Sequence, residues 1–588
     1  MLKILILACL FCVVFSETVD ADLRYRTWTK YVRMRDGTEL HTRMFAPRDY
    51  EEGQNYTVVM DRSPYGQFGI ELIADLFVPA GFISVCQDMR GTGLSAGNFT
   101  NWKGDANDSE DTGNWVIEQG WSNGAIYTFG ASADGLGAFT TNYNSPSWLQ
   151  SQYYIWTSSI GYEVIYPNGA LLYNLLDRWL RGTVRPDDLD RCWGEFMDNE
   201  MQTSWWEDLT FTGNYDLVKK GRFGFWAGWY DIFLVGNLAA YQGFNYEASP
   251  AVQHSSLLTI DPLGHCQDGA EYFTEDVIAG RTALGLMQAY ETFGVHPVKR
   301  PNVKNVTFYV MSSNDAAGID AGQYWSTVEE FPKPHMTKYY FHADGSATTD
   351  KPDEEVEQTS FIFDPANPQK TNGGNNLWSD APCGPLDQAE IDTRDDVLVF
   401  QTPVMEEELP LTGPINGHLY VGSDAIDTDF MVRVSDVYPT GEARLIQDSA
   451  VRMRWRNGGE TPQYLTKGAI YPADISLWNT SYVVAPGHAL RFAVSSSNYP
   501  RFSLNNNNGL LLAADEYPGA NITATNSIYH SSAYPSYFEL PVVTKHQLPK
   551  LHDLKSEFET SYPDMDYDMA VTHGQKAIDA IIKSRTQK

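Results

Sequence analysis

The sequence predicts a two-part protein: an α/β domain with a mostly parallel sheet covered by helices on both faces and carrying a helical insertion, followed by an all-β sandwich. Three observations predict it. Apolar strand-like runs at 57–60 (TVVM), 82–86 (FISVC) and 125–130 (AIYTFG) alternate with helix-like stretches near 69–79 and 109–119, the pattern of parallel strands joined by covering helices. From about 150 to 220, large apolar residues such as Trp156, Tyr162, Tyr166, Leu172, Leu176 and Trp179 recur at helical spacings, which reads as a helical cap. After about 340, short alternating runs at 397–401 (VLVFQ), 416–421 (NGHLYV), 430–435 (FMVRVS) and 490–496 (LRFAVSS) lie between Gly, Pro, Asn and Asp clusters, as in an antiparallel sandwich.

Taken in order, the chain begins with Lys3 and an apolar run from Ile4 to Phe15, closed by Ser16. That run is too short to span a bilayer and reads as a signal peptide over 1–16. No later stretch approaches the ~20 apolar residues of a spanning helix. The expected destination is therefore the exterior or an endosomal or lysosomal lumen. Residues 31–46 alternate like a hairpin with Asp36-Gly37 at its turn. The strand–helix pattern returns near 223 (FGFWAGWYD) and 256 (SLLTIDP). These features divide the chain into an α/β domain at 17–150 and 221–340, a cap at 151–220, a β-sandwich at 341–545 and a charged, peripheral tail at 546–588 with a short helix at 577–582.

Hydrophobic residues form 43% of the 588-residue chain and aromatics 13%, enough for large cores and against disorder. The formal charge of −33 repels nucleic acid and anionic membrane surfaces and otherwise serves solubility. Of six cysteines, Cys9 and Cys12 leave with the signal. Cys86, Cys192, Cys266 and Cys383 remain, and an oxidising compartment allows three pairings among them, between which the sequence does not choose. Cys86 closes an apolar run and also fits a buried thiol. No Cys/His cluster points to a metal, and no cofactor is expected. Asn55, Asn98, Asn107, Asn305, Asn479 and Asn521 head N-x-Ser/Thr triplets that fit an exported chain.

Acyl transfer needs a serine on a tight strand-to-helix turn, which exposes the hydroxyl and aims the next backbone N–H at the developing oxyanion. Two segments compete for this role. Gly93-Leu94-Ser95-Ala96-Gly97 matches G-x-S-x-G literally. Gly130-Ala131-Ser132-Ala133-Asp134-Gly135 has its second glycine one place late. Ser95 lies between loop-like segments, whereas Ser132 follows the strand AIYTFG and opens a helix-compatible stretch, so the setting favours Ser132. An acid and then a histidine are expected after the nucleophile, each on a loop following a strand. Asp231 ends FWAGWY, and His265 stands in DPLGHC after SLLTI. His254 precedes its strand, and Asp261 lies in the histidine's own loop, which makes both weaker choices.

Many further segments resemble, in order, the cocaine-esterase/NonD family of serine hydrolases, relatives of the Xaa-Pro dipeptidyl-peptidases. They include RDGTEL (35–40), DRSPYG (61–66), QDMRGTGLSAGNF (87–99), GASADG (130–135), GWYDIF (228–233), DPLGH (261–265), FDPANPQKTNGG (363–374) and VRMRWRN (451–457). The resemblance runs from about 30 to 545. It implies an α/β-hydrolase domain, an inserted helical cap and a C-terminal jelly-roll, with Ser132, Asp231 and His265 as the triad. On its residues alone Tyr65 reads as a loop aromatic; the resemblance gives its hydroxyl an oxyanion role beside the Ala133 N–H. It also places Trp179 and Phe233 in an apolar acyl pocket. Ala133 and Asp134 depart from the family's usual G-x-S-Y-x-G. An acid at position 134 resembles relatives acting on α-amino-acid esters, but Phe233 and Leu234 stand where those relatives carry further carboxylates.

The expected activity is hydrolysis of carboxylic esters or amides through an acyl-enzyme, without metal or organic cofactor. The alternatives are a dipeptidyl-peptidase cleaving after proline, with Glu163 or Asp134 anchoring the substrate amine, and a catalytically silent carbohydrate- or surface-binding protein.

Overall fold

The structure, a computed structural model, describes residues 24–586 apart from 67–70, 267, 275, 296–301, 354, 356, 379 and 564. The expected signal segment lies outside the described residues. The first half is built on a ten-stranded sheet: β1 (Arg26–Arg33), β2 (Glu39–Ala46), β3 (Tyr56–Ser63), β4 (Ile83–Asp88), β5 (Ser122–Ala131), β6 (Leu149–Ile155), β7 (Phe223–Gly228), β8 (Leu257–Asp261), β9 (Val306–Ser312) and β10 (Tyr324–Val328). Its spatial order is 1-2-4-3-5-6-7-8-9-10. β3 to β9 are parallel, and β1, β2 and β10 are antiparallel edges. β4, β7, β8 and β9 are buried along their whole length, as parallel strands covered on both faces must be. Helices α1 (Glu71–Phe77), α2 (Asp105–Ile117) and α3 (Ala133–Thr140) cross between the early strands. The 31–46 hairpin forms as expected, Arg33 pairing with Glu39 around Asp36-Gly37.

The cap contains α4 (Gly161–Ile165), α5 (Tyr173–Thr183) and α6 (Pro186–Asp198). Its expected start at 151 falls inside β6, because LQSQYYI pairs with β5 and β7 and its buried aromatics belong to the sheet. After the cap come α7 (Leu234–Tyr246), α8 (Asp276–Phe293) and the short α9 (Ala316–Ala321).

The second half is an antiparallel sandwich. Its strands are β11 (His335–Phe341), β12 (Ala347–Thr348), β13 (Gln358–Phe363), β14 (Leu398–Gln401), β15 (Leu409–Ser423), β16 (Asp429–Val437), β17 (Ala443–Arg452), β18 (Tyr471–Val484), β19 (Ala489–Ser495), β20 (Ala524–Tyr529) and β21 (Tyr537–Val542). One sheet is ordered 14-19-16-17. The other centres on the long β15, flanked by β18 on one edge and by β20 and β21 on the other. Phe341 and Phe400 stack across the core at 4.1 Å. The sandwich begins earlier than 341, because β11 pairs with β21 from His335 onward. β18 also pairs in parallel with the end of β9, joining the halves.

The C-terminal segment is not peripheral. Helices α10 (Leu554–Ser561) and α11 (Tyr567–Thr586) follow the sandwich. Phe558 and Tyr562 are buried, and the Tyr562 hydroxyl donates to the Met287 carbonyl on α8 at 3.1 Å. Its few aromatics complete the hydrolase core, and even one of its charges, Glu557, is buried and accepts from Asn302. Among the described residues, no helix is long and apolar enough to cross a membrane.

Candidate active site

The carboxyl ends of β5, β7 and β8 carry the three residues that the sequence singles out. Ser132 stands between β5 and α3 with φ 60° and ψ −128°. This conformation is sparsely populated for a non-glycine residue and costs roughly 1–3 kcal/mol. It lets the strand turn directly into the helix and leaves the hydroxyl at the apex. The flanking glycines make the turn possible. A Cβ on Gly130 would lie 2.7 Å from Gly135 Cα, and one on Gly135 would lie 2.4 Å from the Thr157 hydroxyl oxygen. The displaced second glycine thus serves the same close strand–helix crossing that the usual spacing serves.

Asp231 lies three residues beyond β7, in a turn held from within and from outside. Its Oδ1 accepts the Phe233 N–H at 2.8 Å. Its Oδ2 accepts both the backbone N–H of His265 and Nδ1 of the same ring, each at 2.7 Å. That bond places the ring proton on Nδ1 and leaves Nε2 as an acceptor. The two loops meet where Gly228 and Gly264 cross: a Cβ on Gly228 would stand 2.5 Å from Gly264 Cα. Gly264 has φ +61°, and a Cβ there would strike the Asp231 carboxylate. Asp261 organises the histidine loop rather than the imidazole. Its Oδ1 accepts the N–H groups of Leu263 and Gly264, and its Oδ2 accepts Trp226 Nε1.

His265 Nε2 is buried and makes no hydrogen bond. Its ring packs on Trp156 at 5.3 Å and Phe233 at 5.7 Å. The Ser132 N–H bonds to the carbonyl of Ile155, the neighbour of Trp156, at 2.9 Å, so serine and imidazole each border the 155–156 segment. The Ser132 hydroxyl instead faces Tyr65, Oγ to Oη 3.3 Å. Tyr65 sits just past β3, and its hydroxyl also accepts Trp179 Nε1 at 2.9 Å. Ala133, Trp179 and Phe233 line a cavity of about 60 Å³ walled otherwise by Trp102 and Leu136 of the hydrolase domain and by Val164 and other apolar residues of the cap. Asp134, on the first turn of α3, is buried and is not among the residues lining it. Glu163 lies on α4 and is not among the lining residues, although Gly161, Val164 and Ile165 of the same helix are, and burial raises its carboxyl above the usual range.

Ser95 has another occupation. It is 1% exposed, its hydroxyl donates to the Asp88 carbonyl at 2.6 Å, and it accepts the His41 N–H at 2.8 Å. His254 packs against Tyr246, on the far end of α7.

Several supporting residues carry no local sequence signal. Asn375, from the sandwich half, donates to the carbonyls of Trp229 and Asp231 at 3.0 and 2.9 Å. Gln447 donates to the same Trp229 carbonyl. Arg281, fully buried on α8, donates to the Gly264 carbonyl and lies 5.0 Å over the Trp156 ring. Cys266 and Cys383 form a disulfide, which ties the residue after His265 to the sandwich half. Cys86 and Cys192 are buried and lie outside that disulfide, and burial pushes the Cys192 thiol up to about 11. Among the described residues no group of three metal-ligating side chains occurs.

Fold and site together define a serine hydrolase. Residues 36–191 match the family model of X-Pro dipeptidyl-peptidase (S15 family), and residues 301–539 match the X-Pro dipeptidyl-peptidase C-terminal non-catalytic domain. Cocaine esterase of Rhodococcus sp. (strain MB1 Bresler) is 26% identical over 591 residues, covering 87% of this chain and 98% of that one. Among solved structures, an aminopeptidase from a marine sediment Thaumarchaeota archaeon gives a TM-score of 0.76 at 18% identity, covering 89% of this chain and 97% of its own. An α-amino acid ester hydrolase gives 0.74 at 20%, covering 88% and 97%. The chain is thus a serine hydrolase whose two halves match X-Pro dipeptidyl-peptidase models and which is similar along most of its length to cocaine esterase.

Proposed function

We propose that the protein hydrolyses carboxylic esters with a compact apolar acyl group, using Ser132 as nucleophile, His265 as general base and Asp231 as its partner. The observation that carries this reading is the strained Ser132 elbow opening onto an apolar cavity beside a buried His265–Asp231 pair. The serine hydroxyl leaves Tyr65, passes its proton to the Nε2 lone pair and attacks the ester carbonyl. Asp231 holds the tautomer and stabilises the imidazolium. Tyr65 and the Ala133 N–H receive the oxyanion, at roughly 3–4 kcal/mol per donor. His265 then protonates the leaving alcohol, and water releases the acyl group by the reverse path.

The cavity favours ester over dipeptide substrates. Its lining is apolar throughout, which suits an uncharged hydrocarbon acyl chain. A dipeptidyl-peptidase needs a charged carboxylate for the substrate ammonium, and neither Asp134 nor Glu163 lines the cavity. The intact Ser/Asp/His set weighs against a silent binding protein. The Cys266–Cys383 bond and the apolar N-terminal run support an oxidising, exported setting.

The test is a side-by-side assay of 4-nitrophenyl butyrate and an Ala-Pro anilide, with fluorophosphonate labelling mapped by mass spectrometry. Ester turnover with label on Ser132 is expected. Preferential anilide turnover would replace the substrate reading, and label elsewhere would remove the nucleophile.

A further inference from the structure

The hydrogen bond between the cap and the oxyanion tyrosine has a direction. An indole N–H donates and cannot accept, so the Tyr65 oxygen is the acceptor of the 2.9 Å bond from Trp179 Nε1. The Tyr65 proton is thereby kept for another partner, and the Ser132 oxygen stands 3.3 Å away. A phenol accepting one hydrogen bond is a better donor in the next, because linked hydrogen bonds polarise each other.

The Trp179 indole is itself held in place. Trp102 stacks on it at 5.1 Å with 26° between planes, and Phe99 packs at 5.9 Å. Both residues follow the Gly93–Gly97 turn and present two aromatics to the cap. Trp179 is 8% exposed and belongs to α5. The cap therefore reaches the reacting centre by a defined route: Phe99 and Trp102 fix Trp179, Trp179 fixes Tyr65, and Tyr65 faces Ser132.

We propose that Trp179 is a positioning residue for the oxyanion, beyond lining the acyl cavity: its indole N–H commits the Tyr65 hydroxyl to donate toward the oxygen that becomes charged. The proposal rests on the Ser132 reading above. It makes the cap a component of transition-state stabilisation.

The experiment is a double-mutant cycle on the full chain with 4-nitrophenyl acetate, butyrate and benzoate. Tyr65→Phe is expected to lower kcat/KM by roughly 10²–10³, the effect of losing one oxyanion donor. Trp179→Phe keeps an aromatic ring and loses the N–H together with the second ring of the indole, so the comparison across acyl sizes and with Tyr65→Phe isolates the hydrogen bond. It is expected to lower kcat about five- to tenfold, the worth of one neutral hydrogen bond, equally on all three esters and with KM little changed. In the Tyr65→Phe background, Trp179→Phe should change kcat/KM less than about twofold, because coupled residues are not additive. Trp179→His, which keeps a ring N–H, should recover part of the loss. A Trp179→Phe loss that stays undiminished without the Tyr65 hydroxyl overturns the proposal, as does a loss that grows with acyl size and vanishes on acetate. Thermal melting checks each fold, and Trp179→Leu takes the place of Trp179→Phe in the cycle if the phenylalanine variant melts early. Wild-type protein unlabelled at Ser132 by a fluorophosphonate would instead remove the nucleophile assignment, a distinct failure.

Discussion

Two glycine-rich turns of this molecule carry a serine between small residues, and only one leaves its hydroxyl available for chemistry. At Gly93–Gly97 the serine oxygen is consumed by two backbone groups, the Asp88 carbonyl and the His41 N–H. At Gly130–Gly135 it touches a phenol and adjoins an apolar cavity. Both turns use glycine for close backbone approach. A Cβ at Gly91, whose N–H bonds across the first turn to the Ala96 carbonyl, would lie 2.0 Å from Phe99 N, and one at Gly130 would lie 2.7 Å from Gly135 Cα. Glycine spacing therefore reports tight geometry, while function depends on where the serine's hydrogen-bonding capacity is spent.

The sharpest test of the contrast is Ser132→Ala against Ser95→Ala. Loss of the nucleophile is expected to cost roughly 10⁶ in kcat and to abolish fluorophosphonate labelling, whereas Ser95→Ala should label normally. Activity surviving in Ser132→Ala would dissolve the distinction. Alanine at Gly91 or Gly130 should destabilise by about 3 kcal/mol or more at either turn, measured by urea unfolding. A Gly130→Ala protein of unchanged midpoint would show that the elbow is not tight.

Ser95→Ala should then cost about 1–3 kcal/mol of stability, because it orphans a buried His41 N–H, with kcat unchanged. In kcat the effect of Asn375→Ala should be smaller than that of Ser132→Ala, about tenfold, by loosening the turn that presents Asp231, with a stability loss comparable to that of Ser95→Ala because it takes a buried donor from the Asp231 carbonyl. Full kcat in that variant would mean the aspartate turn stands without help from the sandwich.

The elements that set the site were legible where the signal is local. The strand AIYTFG followed by a helix-compatible stretch identified the elbow, and SLLTI followed by DPLGH identified the histidine loop; the structure places β5, α3 and β8 there. The cap boundary was misplaced because Trp156 and its neighbours satisfy a helical spacing while LQSQYYI is a buried strand. The tail was misread because charge dominates its composition and the few aromatics that dock it are sparse. The bond from Trp179 to Tyr65, the Asn375 contacts and the cysteine pairing join residues 114 or more positions apart. Their partners are chosen by tertiary packing, which no window of sequence contains.

The disulfide next to His265 has a practical corollary. It is the covalent staple between a half that performs the chemistry and a half whose family name denies it a part. Material produced in a reducing bacterial cytoplasm would keep that loop fastened by non-covalent contacts alone, and lower specific activity of such material than of oxidised protein is the expected outcome in a side-by-side assay. For the same reason, chimaeras that exchange the β-sandwich between relatives must carry a matched cysteine pair to keep the imidazole loop seated.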